Sequence, residues 1–224
     1  MTNLDIQLQH LKSENIKMWM LVNLQLQKGK EALLNLDKEL AREVILSERM
    51  VNTYELKLDR DCENIFALFN PVAIDLRFVL AVLKINTNLE RTGDIVEGIA
   101  KFVMNVDNNF DTKLLEITRV VEMYTAANNM MECVLDAFDK EDSSLARKVF
   151  QQDEILDDIN LKANSIVADY IRQHPQNIEA TLYLLSIIRK LERVGDQAKN
   201  MAEEIIFYIE AKVLKHRFKE DKQN

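Results

Sequence analysis

The chain contains the same unit twice, and this restricts its fold more than any other feature of the sequence. Leu40-Ala-Arg-Glu-Val44 returns 105 positions later as Leu145-Ala-Arg-Lys-Val149, and Leu89-Glu-Arg-Thr-Gly-Asp94 returns 102 positions later as Leu191-Glu-Arg-Val-Gly-Asp196. Between these anchors Pro71 matches Pro175. Three anchors in one order mark an internal duplication. The drift in offset falls around the two prolines, where a connection between helices tolerates small deletions. The first repeat is assigned to residues 1–108 and the second to 109–224.

Each repeat reads as helical. The 224 residues include 47% hydrophobic ones but only 4 Gly and 2 Pro, too few to punctuate strands and hairpins. Periodicity predicts six helices, at about Leu4–Asp37, Glu39–Leu68, Val72–Val106, Thr112–Asp139, Ser143–Gln173 and Gln176–Lys215. Pro71 is expected at the start of the third, Asn108-Asn109 and Asp142-Ser143 at connections, and fraying over the polar tail His216–Asn224. One apolar stripe, Leu40, Val44, Val51, Tyr54, Leu58 and Ile65, is predicted to face the core. Its second copy is Leu145, Val149, Leu156, Ile159, Ala163, Val167 and Tyr170. Short connections between long amphipathic helices make antiparallel neighbours, so the predicted fold is all-α, two tandem three-helix bundles.

Charge and composition remove several functions. A net charge of -8 argues against nucleic acid, whose phosphates are bound by clustered Lys and Arg. The most apolar stretch, Ile16 to Leu26, is short and holds Lys17, Asn23 and Gln25, so it cannot span a bilayer. Met1-Thr-Asn-Leu-Asp lacks a signal-peptide pattern, and Cys62 and Cys133 are too few for a disulfide scaffold. The expected compartment is the cytoplasm, with any membrane association peripheral and through partner complexes. The thiols are expected to be buried, the segment Met18-Trp-Met20 and the pair Met130-Met131 to belong to the core, and His10, His174 and His216 to lie on surface or loops.

One residue along from the apolar stripe runs a second, acidic one: Glu48, Asn52, Glu55 and Asp59. The second copy offers Asp153, Asp157, Asn160 and Asn164 at the matching positions. One residue turns about a quarter of the way round a helix, which sets these oxygens at the edge of the core. The third helix of each repeat adds an i, i+4 pair of like charges, Glu90 with Asp94 and Glu192 with Asp196. Such pairs cost about 0.2–0.5 kcal/mol. In both copies a mid-helix glycine, Gly93 or Gly195, precedes the aspartate, at a cost of about 1 kcal/mol. An acidic helical stripe is usually a solvated face, and a lone glycine can be a packing point. The coincidence of both in two repeats points instead to a cation held between carboxylate ladders. Asn200 and Glu203 are read as extending the second ladder. Oxygen-only donors suit Mg, Mn or Fe and accept Zn, and no Glu-x-x-His supports a ferritin-like di-iron centre.

Taken together, the anchors resemble the PhoU family of phosphate-transport regulators, over nearly the whole chain. The twin Glu-Arg-x-Gly-Asp segments and Asn70-Pro-Val-Ala-Ile-Asp-Leu-Arg77 look like that family's signatures. The resemblance implies two three-helix bundles and, as in some members, multinuclear iron or zinc clusters at Glu90 with Asp94, Asp153 with Asp157, and Glu192 with Asp196. Glu48-Arg-Met-Val-Asn52 departs from the pattern at Asn52, and Gly98 and Lys101 stand where the second copy has Asn200 and Glu203. The first site is therefore expected to be the weaker, with unequal metal occupancy in the two halves.

By resemblance the chain is expected to restrain phosphate uptake and phosphate-starvation signalling, beside a phosphate ABC transporter ATPase and a sensor histidine kinase. A homodimer is expected because long amphipathic helices commonly pair. Three alternatives stand beside it. One is a metal-dependent phosphoester hydrolase, for which the sequence offers no separate nucleophile or phosphate-cradling loop. The others are an accessory protein of a sodium-coupled phosphate carrier and a storage or structural bundle without signalling.

Overall fold

In the computed structural model, which describes residues 2–107 and 109–213, the duplicated pattern becomes two bundles. The first holds α1 (Asn3–Asn35), α2 (Lys38–Phe69) and α3 (Ala73–Asn105). The second holds α4 (Thr112–Thr118), α5 (Val120–Lys140), α6 (Ser143–Gln173) and α7 (Ile178–Glu210), with a 3-10 turn at Pro175–Asn177 before α7.

Caps set most of the boundaries. Thr2 and Asp5 form a reciprocal capping box on α1, and Asp37 accepts from the Leu40 amide at 2.9 Å to start α2. Asp142 caps α6 by accepting from the amides of Ser144 and Leu145. Leu36, Asn70, Glu141 and Ala211 close their helices in the left-handed region.

Four expectations are corrected. The helix predicted over Thr112–Asp139 is two, because Arg119 turns into the left-handed region at φ 54° and lets α4 lie against α6 while α5 continues. Its guanidinium holds the break by donating to both Glu122 oxygens, at 2.8 and 2.6 Å, and to Asp158 at 2.8 Å. Pro71 is not the first helical residue, since Asn70 ends α2 in the left-handed region and α3 begins only at Ala73. The last helix ends at Glu210, and the predicted end at Lys215, the tail His216–Asn224 and Asn108 lie outside the described residues. Met18 and Trp19 are buried, but Met20 points outward.

The predicted stripes face inward as drawn, with Leu40, Tyr54 and Leu145 at their margins and the rest buried. α1, α2 and α3 pack on one another, as do α5, α6 and α7. The halves then join along α3 with α7 and α1 with α5. Trp19 meets Phe138 at 5.8 Å, and Phe78 contacts both Phe138 and Tyr208, so one aromatic cluster crosses the junction.

α3 and α7 run antiparallel. Arg77 donates to the Tyr208 carbonyl at 3.2 Å, Lys84 pairs with Glu204 at 2.9 Å, and the Phe102 ring lies tilted against Tyr183 at 5.6 Å. Midway along that register the segments Arg91–Asp94 and Arg193–Asp196 pass each other at the junction of the two halves.

Candidate metal centre

The two acidic ladders face carboxylates on the neighbouring helix, once per half. In the first half α2 carries Glu48, Glu55 and Asp59 against Glu90 and Asp94 of α3. The close approach is made at Gly93, where a β-carbon would stand 2.7 Å from Oε2 of Glu48. The glycine that breaks helix propensity thus makes room for a carboxylate, and Glu48 is only 5% exposed.

Glu48 is costly where it lies. Gln25 Nε2 donates to its Oε2 at 3.3 Å and to Ser47 Oγ at 2.9 Å, but Oε1 has no hydrogen-bond partner. Burial pushes its carboxyl up to about 7, with Gln25 opposing and the charges of Asp94, Glu97 and Glu90 adding. Glu55 is raised by burial and then by Asp59 and Asp94, and Glu90 by burial and then by Asp94 and Glu55. Asn86 donates to Asp59 at 2.8 Å and to the Glu55 carbonyl at 3.0 Å, tying the outer end of the groove. Asp94 is exposed, as is Asn52, one turn along α2 from Glu48.

The second half repeats the geometry with a different charge balance. Gly195 lies under Asp153, whose Oδ1 would be 3.0 Å from a β-carbon there, and under Leu156 at 2.6 Å. Asp153 is 6% exposed, and its carboxyl is raised by burial with Lys199 opposing and Asp157 and Asp196 adding. Lys199 forms an ion pair with Asp153 and another at 2.9 Å with Asp196. Burial works against the ammonium, but the two carboxylates outweigh it and raise Lys199 above the ordinary lysine value. Glu192 is raised by burial and then by Asp196.

Not every predicted ligand joins these grooves. Asn164 accepts from Arg189 at 3.0 Å, Asn160 is half-buried, and Asp157 is exposed but close enough to add charge at Asp153 and Glu192. Asn200 and Glu203 do not extend the ladder. They line a cleft between α3 and α7 with Lys84, Asn88, Arg91 and Glu204.

Among the described residues, no three Asp, Glu, His or Cys side chains stand close enough to hold one ion as they are posed. The first half nonetheless presents what a hard cation needs: crowded carboxylates, a buried orphaned oxygen on Glu48, and a backbone recess at Gly93. The second half has the same recess at Gly195 and an orphaned buried oxygen, Oδ1 of Asp153, but there an ammonium is bonded to the other Asp153 oxygen and to Asp196. Sequence reasoning missed Gln25, Asn86 and Lys199.

The chain's relatives agree with this architecture. A family model described as PhoU domain matches residues 16–103 and again 120–205. The chain is 31% identical over 205 residues to the phosphate-specific transport system accessory protein PhoU homolog 1 of Thermotoga maritima, covering 92% of this chain and 88% of that one. It is 31% identical over 223 residues to the PhoU homolog of Aquifex aeolicus, covering 96% and 97%. The crystal structure of PhoU from Pseudomonas aeruginosa superposes with a TM-score of 0.85 at 28% identity, over 94% of this chain and all of that one. The phosphate transport system regulatory protein PhoU from Streptococcus pneumoniae superposes at 0.82 with 26% identity, covering 95% and 99%.

Proposed function

The chain belongs to the PhoU family, and from that premise we propose that it acts on the cytoplasmic side as a metal-bearing helical adaptor that restrains a phosphate ABC transporter and its sensor histidine kinase. The relatives named as phosphate-specific transport system accessory or regulatory proteins support the broader role, regulation of phosphate transport. Among the described residues no helix is long and apolar enough to cross a membrane.

One observation carries the adaptor reading. The middle helix of each bundle exposes apolar side chains at matching positions: Met50 and Ile155 are 55% and 39% exposed, and Leu56 and Leu161 are 66% and 82% exposed. These pairs stand at the 105-residue offset of the duplication. Large apolar groups held out in water at the same place in both halves suit docking onto partner subunits. The carboxylate grooves lie on the adjoining faces of these same helices. A divalent ion held by Glu48, Glu55, Glu90 and Asp94 would supply positive charge that relieves their repulsion and braces α2 against α3. The chemistry is structural, and the chain works as a scaffold without turnover.

The test is capture from cells grown in high phosphate. The tagged chain is expected to retain the transporter ATPase or the kinase, and the double variant Leu56→Asp/Leu161→Asp to lose it while keeping its circular dichroism. Recovery of neither partner by the unaltered chain would sink the proposal.

A further inference from the structure

The duplication aligns two side chains of opposite charge. At the offset that superposes the Glu-Arg-x-Gly-Asp segments, Glu97 of α3 corresponds to Lys199 of α7. Glu97 adds negative charge beside Glu48 and is itself held by Lys101 at 2.6 Å. Lys199 does the reverse. Its ammonium stands between Asp153 of α6 and Asp196 of α7, paired with both. It fastens the two helices through charge-assisted bonds, as an ion shared by those carboxylates would.

We propose that Lys199 is the resident cation of the second half, so that divalent ions load in the first half alone. The inference rests on the metal-bearing reading above and reverses the order of strength expected from the sequence. Among the described residues no Lys or Arg forms an ion pair with Glu48, Glu55, Asp59, Glu90 or Asp94. Glu48 is nine-tenths buried over Gly93 with Oε1 lacking a partner, which is a cost that a cation would remove. The second groove also holds a buried oxygen without a partner, Oδ1 of Asp153, but a cation is already in place there. An entering ion would face an ammonium already bonded to Asp153 and Asp196, and would have to displace it or bear its repulsion.

Equilibrium dialysis against Mn2+ after chelation, with elemental counting of bound ions, decides this on the full chain. Ions bound by the unaltered protein are expected to be lost in Glu90→Gln/Asp94→Asn and kept in Glu192→Gln/Asp196→Asn. Lys199→Thr is expected to gain further ions, and Glu192→Gln/Asp196→Asn on that background to remove only those. Loss of ions from the otherwise unaltered chain on Glu192→Gln/Asp196→Asn overturns the inference and leaves the metal reading standing. So does a folded Lys199→Thr with no added ions. Mn2+ bound by none of these proteins overturns the metal reading and the inference with it. Should Lys199→Thr not fold, the comparison of the two carboxylate variants is sufficient by itself.

Discussion

The backbone of Gly93 lies directly beneath the carboxylate of Glu48, so close that a β-carbon would stand 2.7 Å from Oε2. The nearest atom in the way is the far end of a flexible side chain, with Cγ1 of the buried Val51 next at 3.3 Å. Gly93→Ala is therefore expected to push the carboxylate aside and to recover about 1 kcal/mol of helix propensity, leaving net stability within about 1 kcal/mol of the parent. Gly195 differs, because Leu156 would be 2.6 Å away and is fully buried. Gly29 likewise meets the hydroxyl of the fully buried Tyr124 at 2.6 Å. Overpacking a core costs about 1–3 kcal/mol, so Gly195→Ala and Gly29→Ala should unfold at lower urea than Gly93→Ala. Equal losses at all three positions would contradict this.

Glu14 of α1 is 5% exposed and sits between Lys17 of its own helix, at 2.7 Å, and Lys57 of α2. Hydrogen bonds from Lys17 and Lys57 lower its carboxyl from 4.5 to about 2. A depressed acid stabilises the folded state above its ordinary range and ceases to do so as it is protonated. Stability from this group should be full above pH 4.5 and vanish as pH falls toward 2. Denaturation of Glu14→Gln across that window should show a shallower acid slope than the parent. An unchanged slope would show that the clamp does not operate.

Arg119 occupies the left-handed region, where a side chain costs about 1 kcal/mol or more relative to glycine. Its ion pairs with Glu122 and Asp158 are exposed and offset only part of that. Arg119→Ala loses the pairs and keeps the strain, whereas Arg119→Gly loses both. The alanine variant should be the less stable by about 1 kcal/mol in urea titrations. The reverse order would mean that the junction relaxes into continuous helix.

Burial pushes the Cys62 thiol up to about 12, and Cys133 is raised by burial to a lesser degree of enclosure. The thiolate is the reactive form. Iodoacetamide near neutral pH should leave Cys62 unlabelled in the native protein and modify it on unfolding, as read by mass spectrometry. Rapid native labelling of Cys62 would argue that α2 opens from α3.

Helices and their inward faces were legible because they are written locally. Val44, Val51, Leu58 and Ile65 recur at helical spacing, and all four are buried. The twin glycines were legible as anomalies, although their partners Glu48 and Asp153 became visible only across the helix packing. What escaped was set by tertiary contact. Arg119 is no helix breaker by type, and its turn is held by Asp158, 39 positions away. Lys199 reads as an ordinary surface lysine until α6 brings Asp153 beneath it. Asn200 and Glu203 were assigned by spacing to one face of α7, but the antiparallel passage of α3 claims that face for a different cleft.

The seam of α3 on α7, with α1 on α5 beside it, is built from corresponding elements of the two repeats. Cut after residue 107, the first repeat would bare Phe78 where Phe138 and Tyr208 had covered it. A single-repeat polypeptide could hide that surface by associating with its own duplicate about a dyad. Gene fusion of such a pair frees each copy to diverge, which an identical pair cannot do, and the exchange of glutamate for lysine between positions 97 and 199 is divergence of that kind.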